Sequence, residues 1–285
     1  MSALPRPSSH ADEQLSPTNF RRLAAFVHEY SGIKMPPTKK TMLEGRVRRR
    51  MRACGFSNVN DYCRRLFDEP SFLTAELVHL MDAVTTNKTE FFREPAHFDY
   101  LASDALPALM SGRGRTLKAW SAAASTGAEA YTLAMVLDEA CAGRQGWSWS
   151  ILGTDLSTQV LAQAAAAIYP QAMIEPVPVE LRRRHLLQAR DPARRQVRIA
   201  PHLRARVAFG RLNLMDEQYP VDEDFDLLFC RNILIYFDKP TQSAVLRRLC
   251  AHLRPGGYLF LGHSETILGL DLPVVTVANT VFRRL

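Results

Sequence analysis

The stretch that decides the fold is Lys118-Ala119-Trp120-Ser121-Ala122-Ala123-Ala124-Ser125-Thr126-Gly127-Ala128-Glu129-Ala130-Tyr131. A short, mostly apolar run from Leu117 to Trp120 suits a buried strand, and seven small residues ending at Gly127 follow it. Beyond Gly127, Ala130, Leu133, Ala134, Leu137, Ala140 and Cys141 recur at spacings of three and four, while Asp138 and Glu139 fall off that stripe. This is the pattern of an amphipathic helix. Strand, tight turn of small residues and helix form the first unit of an open α/β sheet. In such a unit, backbone N–H groups at the turn approach a ligand closely, with the helix N-terminus behind them.

Downstream the same alternation continues. Ser148 to Thr154 reads as a second strand ending at Asp155, Leu156 to Ile168 as an Ala-rich helix, Arg206 to Phe209 as a third strand and Asp226 to Phe229 as a fourth. Thr241 to Leu253 is an amphipathic helix stopped by Pro255-Gly256-Gly257. Tyr258 to Leu261, Val274 to Val277 and Val281 to Arg283 complete the strands. Residues about 170–203 are rich in Pro and Arg and too long for a simple connection, so they read as a small inserted subdomain with room for a hairpin around Asp191-Pro192.

Upstream the chain is helical. Ser16-Pro17-Thr18 starts a helix carrying Phe20, Leu23, Ala24, Val27 and Tyr30 to Gly32, and a second helix runs from about Thr38 to Cys54. On a wheel, Leu43, Val47, Met51 and Cys54 share one narrow arc, and Arg46, Arg48, Arg49, Arg50 and Arg52 fill the remainder. Only Glu44 offsets these arginines, Lys39 and Lys40, so the helix is read either as a solvated charged face or as a docking surface for an acidic partner. Two shorter helices follow, about 59–67 and 72–84, with Asn58 and Ser71 as caps, and Pro95 opens another that reaches about Met110. The expected division is a flexible tail over 1–16, a helical domain over 17–86 and an α/β domain over 87–285.

A chain of 285 residues that is 47% hydrophobic is globular and long enough for a full core. No apolar run approaches the roughly 18 residues of a membrane span, and the polar N-terminal residues lack the apolar centre of a secretory signal, so a cytoplasmic location is expected. The five cysteines are odd in number, with no Cys-x-x-Cys, and read as reduced thiols; no metal-ligand spacing is visible. The net charge of +7 suits an acidic partner without naming its class. Asp155, ending the second strand, can hold ribose hydroxyls or cap the next helix. The absence of Gly-x-Gly-x-x-Gly points away from a dinucleotide.

The combination Asn87-x-Thr89-x-Phe91-Phe92-Arg93, Trp120 to Gly127, Phe229-Cys230-Arg231-Asn232 with Ile235-Tyr236-Phe237-Asp238, Leu253-x-Pro255-x-Gly257 and Gly262-His263-Ser264-Glu265 resembles the chemotaxis receptor protein-glutamate methyltransferases. The motifs occur in the family's order and cover the chain from about Phe20 onward. The resemblance implies a seven-stranded S-adenosylmethionine-dependent methyltransferase sheet with a small helical N-terminal domain and a small inserted β subdomain. It implies methyl transfer to glutamate carboxylates of bacterial chemoreceptors, with S-adenosylhomocysteine as product. By motif matching it places Asn87, Thr89, Arg93, Glu129, Asp155, Asn213, Leu214, Arg231 and Asn232 around the cofactor and Tyr236 near the transferred methyl. Where the family usually has two acidic residues and a proline after the glycine, this chain has Ala128-Glu129-Ala130.

Arg93 and Tyr236 are accordingly assigned to orienting the incoming carboxylate, an ion pair of Arg93 with Glu90 or Glu94 being the bland alternative. Glu129 can alternatively do no more than favour the helix N-terminus by its charge, and His263 is read as a structural residue outside the active site. The basic arginine helix is the expected dock for the acidic, helical methylation region of a receptor, and the inserted subdomain for a receptor's C-terminal tether. Two other readings, a nucleic-acid methyltransferase and a non-catalytic receptor adaptor, are weaker. The chain has no Pro-Pro-aromatic element after the fourth strand and no interleaving of aromatic with basic residues, and it retains Arg93, Glu129, Asp155 and Tyr236 together.

Overall fold

A computed structural model describes residues 14–112 and 114–285, with Pro192 described by its backbone alone. The chain divides into two compact units, Met1–Thr86 and Asn87–Leu285.

The first unit is built of α1 (Pro17–Ser31), α2 (Lys40–Ala53), α3 (Val59–Asp68) and α4 (Pro70–Val84). Local chemistry sets their ends. Ser16 accepts from the Asn19 amide and Pro17 occupies the first turn of α1, which closes at Gly32 in a left-handed conformation. Asn58 caps α3 by accepting from the Asn60 amide. Ser71 does not cap α4: that helix begins earlier, at Pro70, whose fixed φ and missing N–H suit a first turn. The tail expected over residues 1–16 lies outside the described residues up to residue 13. Its last part is no tail, because Leu15 is fully buried and Asn60 accepts from the Ser16 amide.

The second unit begins with α5 (Ala96–Tyr100), a π turn over Leu101–Ala105 and α6 (Leu106–Leu109) in place of one regular helix. Pro107, which has no N–H to give to the preceding turn, is the second residue after the widened turn. Then come β1 (Thr116–Ala122), α7 (Ala128–Cys141), β2 (Ser148–Asp155) and α8 (Thr158–Ala166). The insertion holds β3 (Ile168–Pro170), α9 (Val179–His185), β4 (Leu186–Gln188) and β5 (Gln196–Ile199), followed by α10 (Pro201–Arg204). The chain finishes with β6 (Val207–Arg211), β7 (Phe225–Cys230), α11 (Lys239–His252), β8 (Leu253–Leu261), β9 (Val274–Ala278) and β10 (Val281–Arg284).

Seven strands form one sheet in the order β6-β2-β1-β7-β8-β10-β9. The first five are parallel, and β10 runs antiparallel to both its neighbours. Every residue of β7 is buried, as expected for a strand covered on both faces. Within it Asp226 is fully buried and tied to Arg115, Arg254 and the Lys118 amide, which clamps the end of the sheet opposite the site. The strand β8 starts at Leu253 rather than Tyr258, because Pro255-Gly256 is taken up as a register shift against β7 and does not stop the strand. The insertion is a three-stranded antiparallel sheet, β3-β5-β4, with β4 and β5 joined around Asp191. Gly127, at φ +85°, has no room for a side chain: a Cβ there would lie 2.8 Å from that of Ala164.

Candidate active site

In an open parallel sheet the ligand edge is the one at the carboxyl ends of the strands, where the order reverses. Here that reversal falls between β1 and β7, and three loops meet at it: residues 87–95, the β1–α7 turn and the segment after β7. Of the nine non-glycine residues with positive φ among those described, Phe92, Glu94, Ala123, Ser125 and Asn232 lie on these loops. Backbone strain of this kind persists only where the surroundings over-determine it, and it collects at functional sites.

Arg231, at the end of β7, is the centre of the cluster. Its side chain is almost fully buried, with its guanidinium over the Phe98 ring at 5.5 Å. Nη2 donates to the Arg93 carbonyl and, at 3.0 Å, to Glu94, and Nη1 stands 3.3 Å from the Glu129 carboxylate. Neither Nη1 nor Nε makes a hydrogen bond within the protein. One buried cation thus faces two carboxylates, and the two respond differently. Burial pushes the Glu129 carboxyl up, against the pull of Arg231 and of the Ser121 hydroxyl at 2.7 Å. Burial opposes ionisation of Glu94 as well, but hydrogen bonding from Asn232 and the charge of Arg231 outweigh it and hold that carboxyl below its ordinary range. His97 lies beneath, its Nε2 paired with the Thr280 hydroxyl at 2.8 Å. Burial, followed by the positive Arg231, pushes this ring down to about 4. It is therefore neutral near pH 7, and its 3.5 Å approach to Glu94 is not an ion pair.

Asp155 closes the other side of the turn. Its carboxylate accepts from the Ser125 amide at 2.8 Å and the Ser157 amide at 2.9 Å, so it fixes the β1–α7 turn against β2. It is not the N-cap of α8, since that role falls to Ser157, which accepts from Val160. The Ser125 hydroxyl donates to the Asn87 carbonyl and brings residues 87–89 to the same turn. Asn213, nearly buried, accepts from the Met215 amide, and the Leu214 carbonyl accepts from Tyr219 and Arg248. Arg93 is half-buried and donates to the Lys88 carbonyl; the carboxylate expected beside it, Glu94, is engaged with Arg231 instead. Tyr236 is half-buried on the short 3₁₀ turn after β7. Ala128, where the family pattern has its first carboxylate, is fully buried.

Sequence reasoning missed two acids here. Glu94 supplies a second carboxylate to the cluster. Glu265, also buried, accepts from the amides of Asn232 at 3.0 Å, Leu234 at 2.7 Å and Gly262 at 2.7 Å, while burial pushes its carboxyl up. His263 meets His97 edge to face, with ring centroids 5.0 Å apart, and donates its amide to Glu94.

Two further expectations meet long-range packing that the chain order does not show. The basic face of α2 is only partly a free charged surface: Arg46 donates to the Val84 and Thr85 carbonyls, Arg48 pairs with Glu44, and Arg50 grips the buried Glu76 through two bonds. Arg49 and Arg52 are exposed. The reading of no metal-ligand cluster was based on spacing along the chain. Folding brings two donor groups together among the described residues: Glu94, His97 and His263, and Asp138, His185 and His202.

A match to the CheR methyltransferase SAM-binding domain spans residues 87–281, and one to the CheR all-alpha domain spans residues 18–85. The chain belongs to the CheR methyltransferase family. It is 38% identical to a chemotaxis protein methyltransferase of Klebsiella aerogenes over 94% of this chain and 90% of that one. It is also 38% identical to one of Borreliella burgdorferi, over 87% of this chain and 88% of that one. The Escherichia coli protein of the same description is 35% identical over 94% and 91%. As a CheR-family chain it has the expected architecture of an all-alpha domain and a seven-stranded methyltransferase sheet, and S-adenosylmethionine is its cofactor. The donor set fits that ligand. Glu129 offers a half-buried carboxylate to a cation, Arg231 Nη1 is a buried N–H that makes no hydrogen bond within the protein, and Asp155 presents a carboxylate held rigid at the end of β2. Among the described residues no helix is long and apolar enough to cross a membrane.

Proposed function

We propose that this chain methylates glutamate side chains of bacterial chemoreceptors in the cytoplasm, giving glutamate methyl esters and S-adenosylhomocysteine. The observation that carries this reading is the convergence of Glu94, Glu129 and Arg231 at the carboxyl edge of β1 and β7, in a CheR-family chain whose relatives are described as chemotaxis methyltransferases. Bound S-adenosylmethionine supplies a methyl group activated by its sulfonium. A glutamate carboxylate, with an ordinary pKa of about 4.3, is already a nucleophile at neutral pH, so the protein needs no general base. Its task is to align the carboxylate oxygen with the methyl carbon as the carbon–sulfur bond breaks, and to keep water out.

Asn87, Thr89, Arg93, Glu129, Asp155, Asn213, Leu214, Arg231 and Asn232 are assigned to the cofactor. Arg231 does so chiefly by fixing Glu94 and Glu129. Arg93 and Tyr236 orient the incoming carboxylate. The acidic helical methylation region of the receptor docks on α2 through Arg49 and Arg52, the two arginines with exposed side chains. A receptor C-terminal tether, where the receptor has one, docks on the insertion. There β3 and β4 are edge strands with exposed Ile168 and Leu187.

Tritium transfer from labelled S-adenosylmethionine to receptor-containing membranes tests the reading. The expected product is a base-labile label in the receptor; label in nucleic acid, or none, overturns it. Removing the receptor's last residues should lower the rate if the tether is used. Arg93→Ala should lower turnover far more than it lowers receptor binding, and an unchanged turnover removes Arg93 from the chemistry.

A further inference from the structure

The second donor group lies away from the cofactor, where the insertion meets the sheet domain. The C-terminal turn of α7 carries Asp138 and Glu139 side by side, α9 ends on His185, and α10 carries His202. Residues from three separate elements therefore meet at one point. His185 is 2% exposed, and its Nδ1 faces His202 Nε2 at 3.3 Å. Asp138 Oδ2 stands 3.6 Å from the same His202 nitrogen, and the three donor atoms all lie within 4.8 Å of one another.

The surroundings orient each donor. Glu139 accepts at 3.0 Å from His185 Nε2, which puts the proton on that nitrogen and turns the Nδ1 lone pair toward His202. A carboxylate behind an imidazole in this way is the usual support of a metal-bound histidine. The other Glu139 oxygen is held by Arg184. Trp149 Nε1 donates at 3.1 Å to Asp138 Oδ1, which leaves Oδ2 to face the ring pair. A tetrahedral ion with bonds of about 2.0–2.1 Å holds its ligand atoms roughly 3.3–3.5 Å apart, close to the 3.3 and 3.6 Å seen here. The His202 side chain is half exposed, giving an ion a path in and a solvent ligand for the fourth position.

The Glu94, His97 and His263 group differs in one respect that decides against it. Its ligand oxygen, Glu94 Oε2, already accepts from Arg231 at 3.0 Å, so a dication would be placed beside a guanidinium.

We propose that Asp138, His185 and His202 bind one divalent transition metal of the zinc class, with Glu139 as the positioning residue behind His185. Two imidazole nitrogens and a carboxylate oxygen select such an ion over calcium or magnesium. The site is structural. Asp138 is nine residues along α7 from Glu129, or about 14 Å at a helical rise of ~1.5 Å, so the ion takes no part in methyl transfer. It pins α9 and α10 to α7, and because His185 leads directly into β4 it also holds that edge strand of the insertion.

The full chain, stripped with a chelator and dialysed against Zn²⁺, should retain one more ion per chain than the His202→Gln variant treated in the same way. Zn²⁺ should raise the Tm of the stripped wild type and leave that of His202→Gln unchanged. Glu139→Gln should weaken Zn²⁺ binding about 10–100-fold. Co²⁺ should give the visible bands of a tetrahedral site without a thiolate charge-transfer band, which separates this site from the five cysteines. Equal metal retention by wild type and His202→Gln, or a spectrum dominated by thiolate, overturns the proposal. His202 is half exposed, so its variant should match the stripped wild type in Tm. If it does not, Asp138→Asn, which keeps the bond from Trp149, must show the same loss of metal for the proposal to stand.

Discussion

The two units of this chain each set an arginine against glutamate, with opposite results. In the helical unit Glu76 is 4% exposed and accepts from Arg50 at 2.7 and 2.8 Å, with Tyr62 at 3.0 Å as a third donor. Burial alone would raise its carboxyl, but the bonds from Arg50 and Tyr62 more than reverse that and hold it below its ordinary range. There is one cation for one anion, and the carboxylate's donors are close and well directed. In the methyltransferase unit Arg231 serves two carboxylates, leaves Nη1 and Nε without a hydrogen bond within the protein, and lets burial push Glu129 up. The first arrangement is complete in itself and holds helices together. The second carries unmatched donors and charge at the ligand edge of a sheet, which a bound molecule can complete.

The comparison can be broken most forcefully at Glu76. Glu76→Gln should cost the helical unit about 3 kcal/mol in urea unfolding, because it leaves Arg50 partly buried without its counter-charge. S-adenosylmethionine affinity at low denaturant should be unchanged. A loss under about 1 kcal/mol would mean that the pair does not hold the unit together. Glu129→Gln should do the reverse, weakening S-adenosylmethionine binding by about 10–100-fold through one charged hydrogen bond of ~1.5–3 kcal/mol. Stability should change little, since the amide escapes the carboxylate's desolvation as it gives up Arg231. Calorimetry on the folded variant checks both halves.

Acid sharpens the contrast more gently. Glu76 has a lowered carboxyl, so its contribution to stability is present above the ordinary value of 4.5 and is lost as pH falls through the lower folded value. His97 is lowered from 6.5 to about 4, so its contribution is present above 6.5 and fades as pH falls toward 4. Hydrogen exchange should therefore show the methyltransferase unit loosening at a higher pH than the helical unit. His97→Gln should flatten that early slope, and an unaltered slope would remove His97 as its source. The smallest effect belongs to the surface. Arg49→Glu should raise the apparent receptor KM severalfold in low salt and little in high salt, with kcat held. Arg50 is unsuited to this test, because its reversal breaks the pair with Glu76.

The parts of the molecule that could be read from the chain are those whose signal is local. The spacing of Ala130, Leu133 and Leu137 marks α7, the apolar run of β7 marks a strand buried on both faces, and Ser16-Pro17 marks the start of α1. Motif matching likewise led to Glu129, Asp155, Arg231 and Asn232, which the fold carries to one edge. What could not be read depends on partners far apart along the chain. Arg50 looked like one more residue in a basic run because Glu76 lies 26 residues on, across another helix. Glu94 looked like a partner for Arg93, whereas its cation is 137 residues away. His185 and His202 have no ligand spacing with Asp138, and only the docking of α9 and α10 against α7 brings them together.

Glu265 has a consequence of its own. Its carboxylate collects the amides of Asn232, Leu234 and Gly262, with Ile235 adding to them, so the segments leaving β7 and β8 share one anchor. The turn that carries Tyr236 is thus not a loop with its own hinge. The two segments yield or hold together as one lip, because a displacement of either is carried to the other through the same carboxylate.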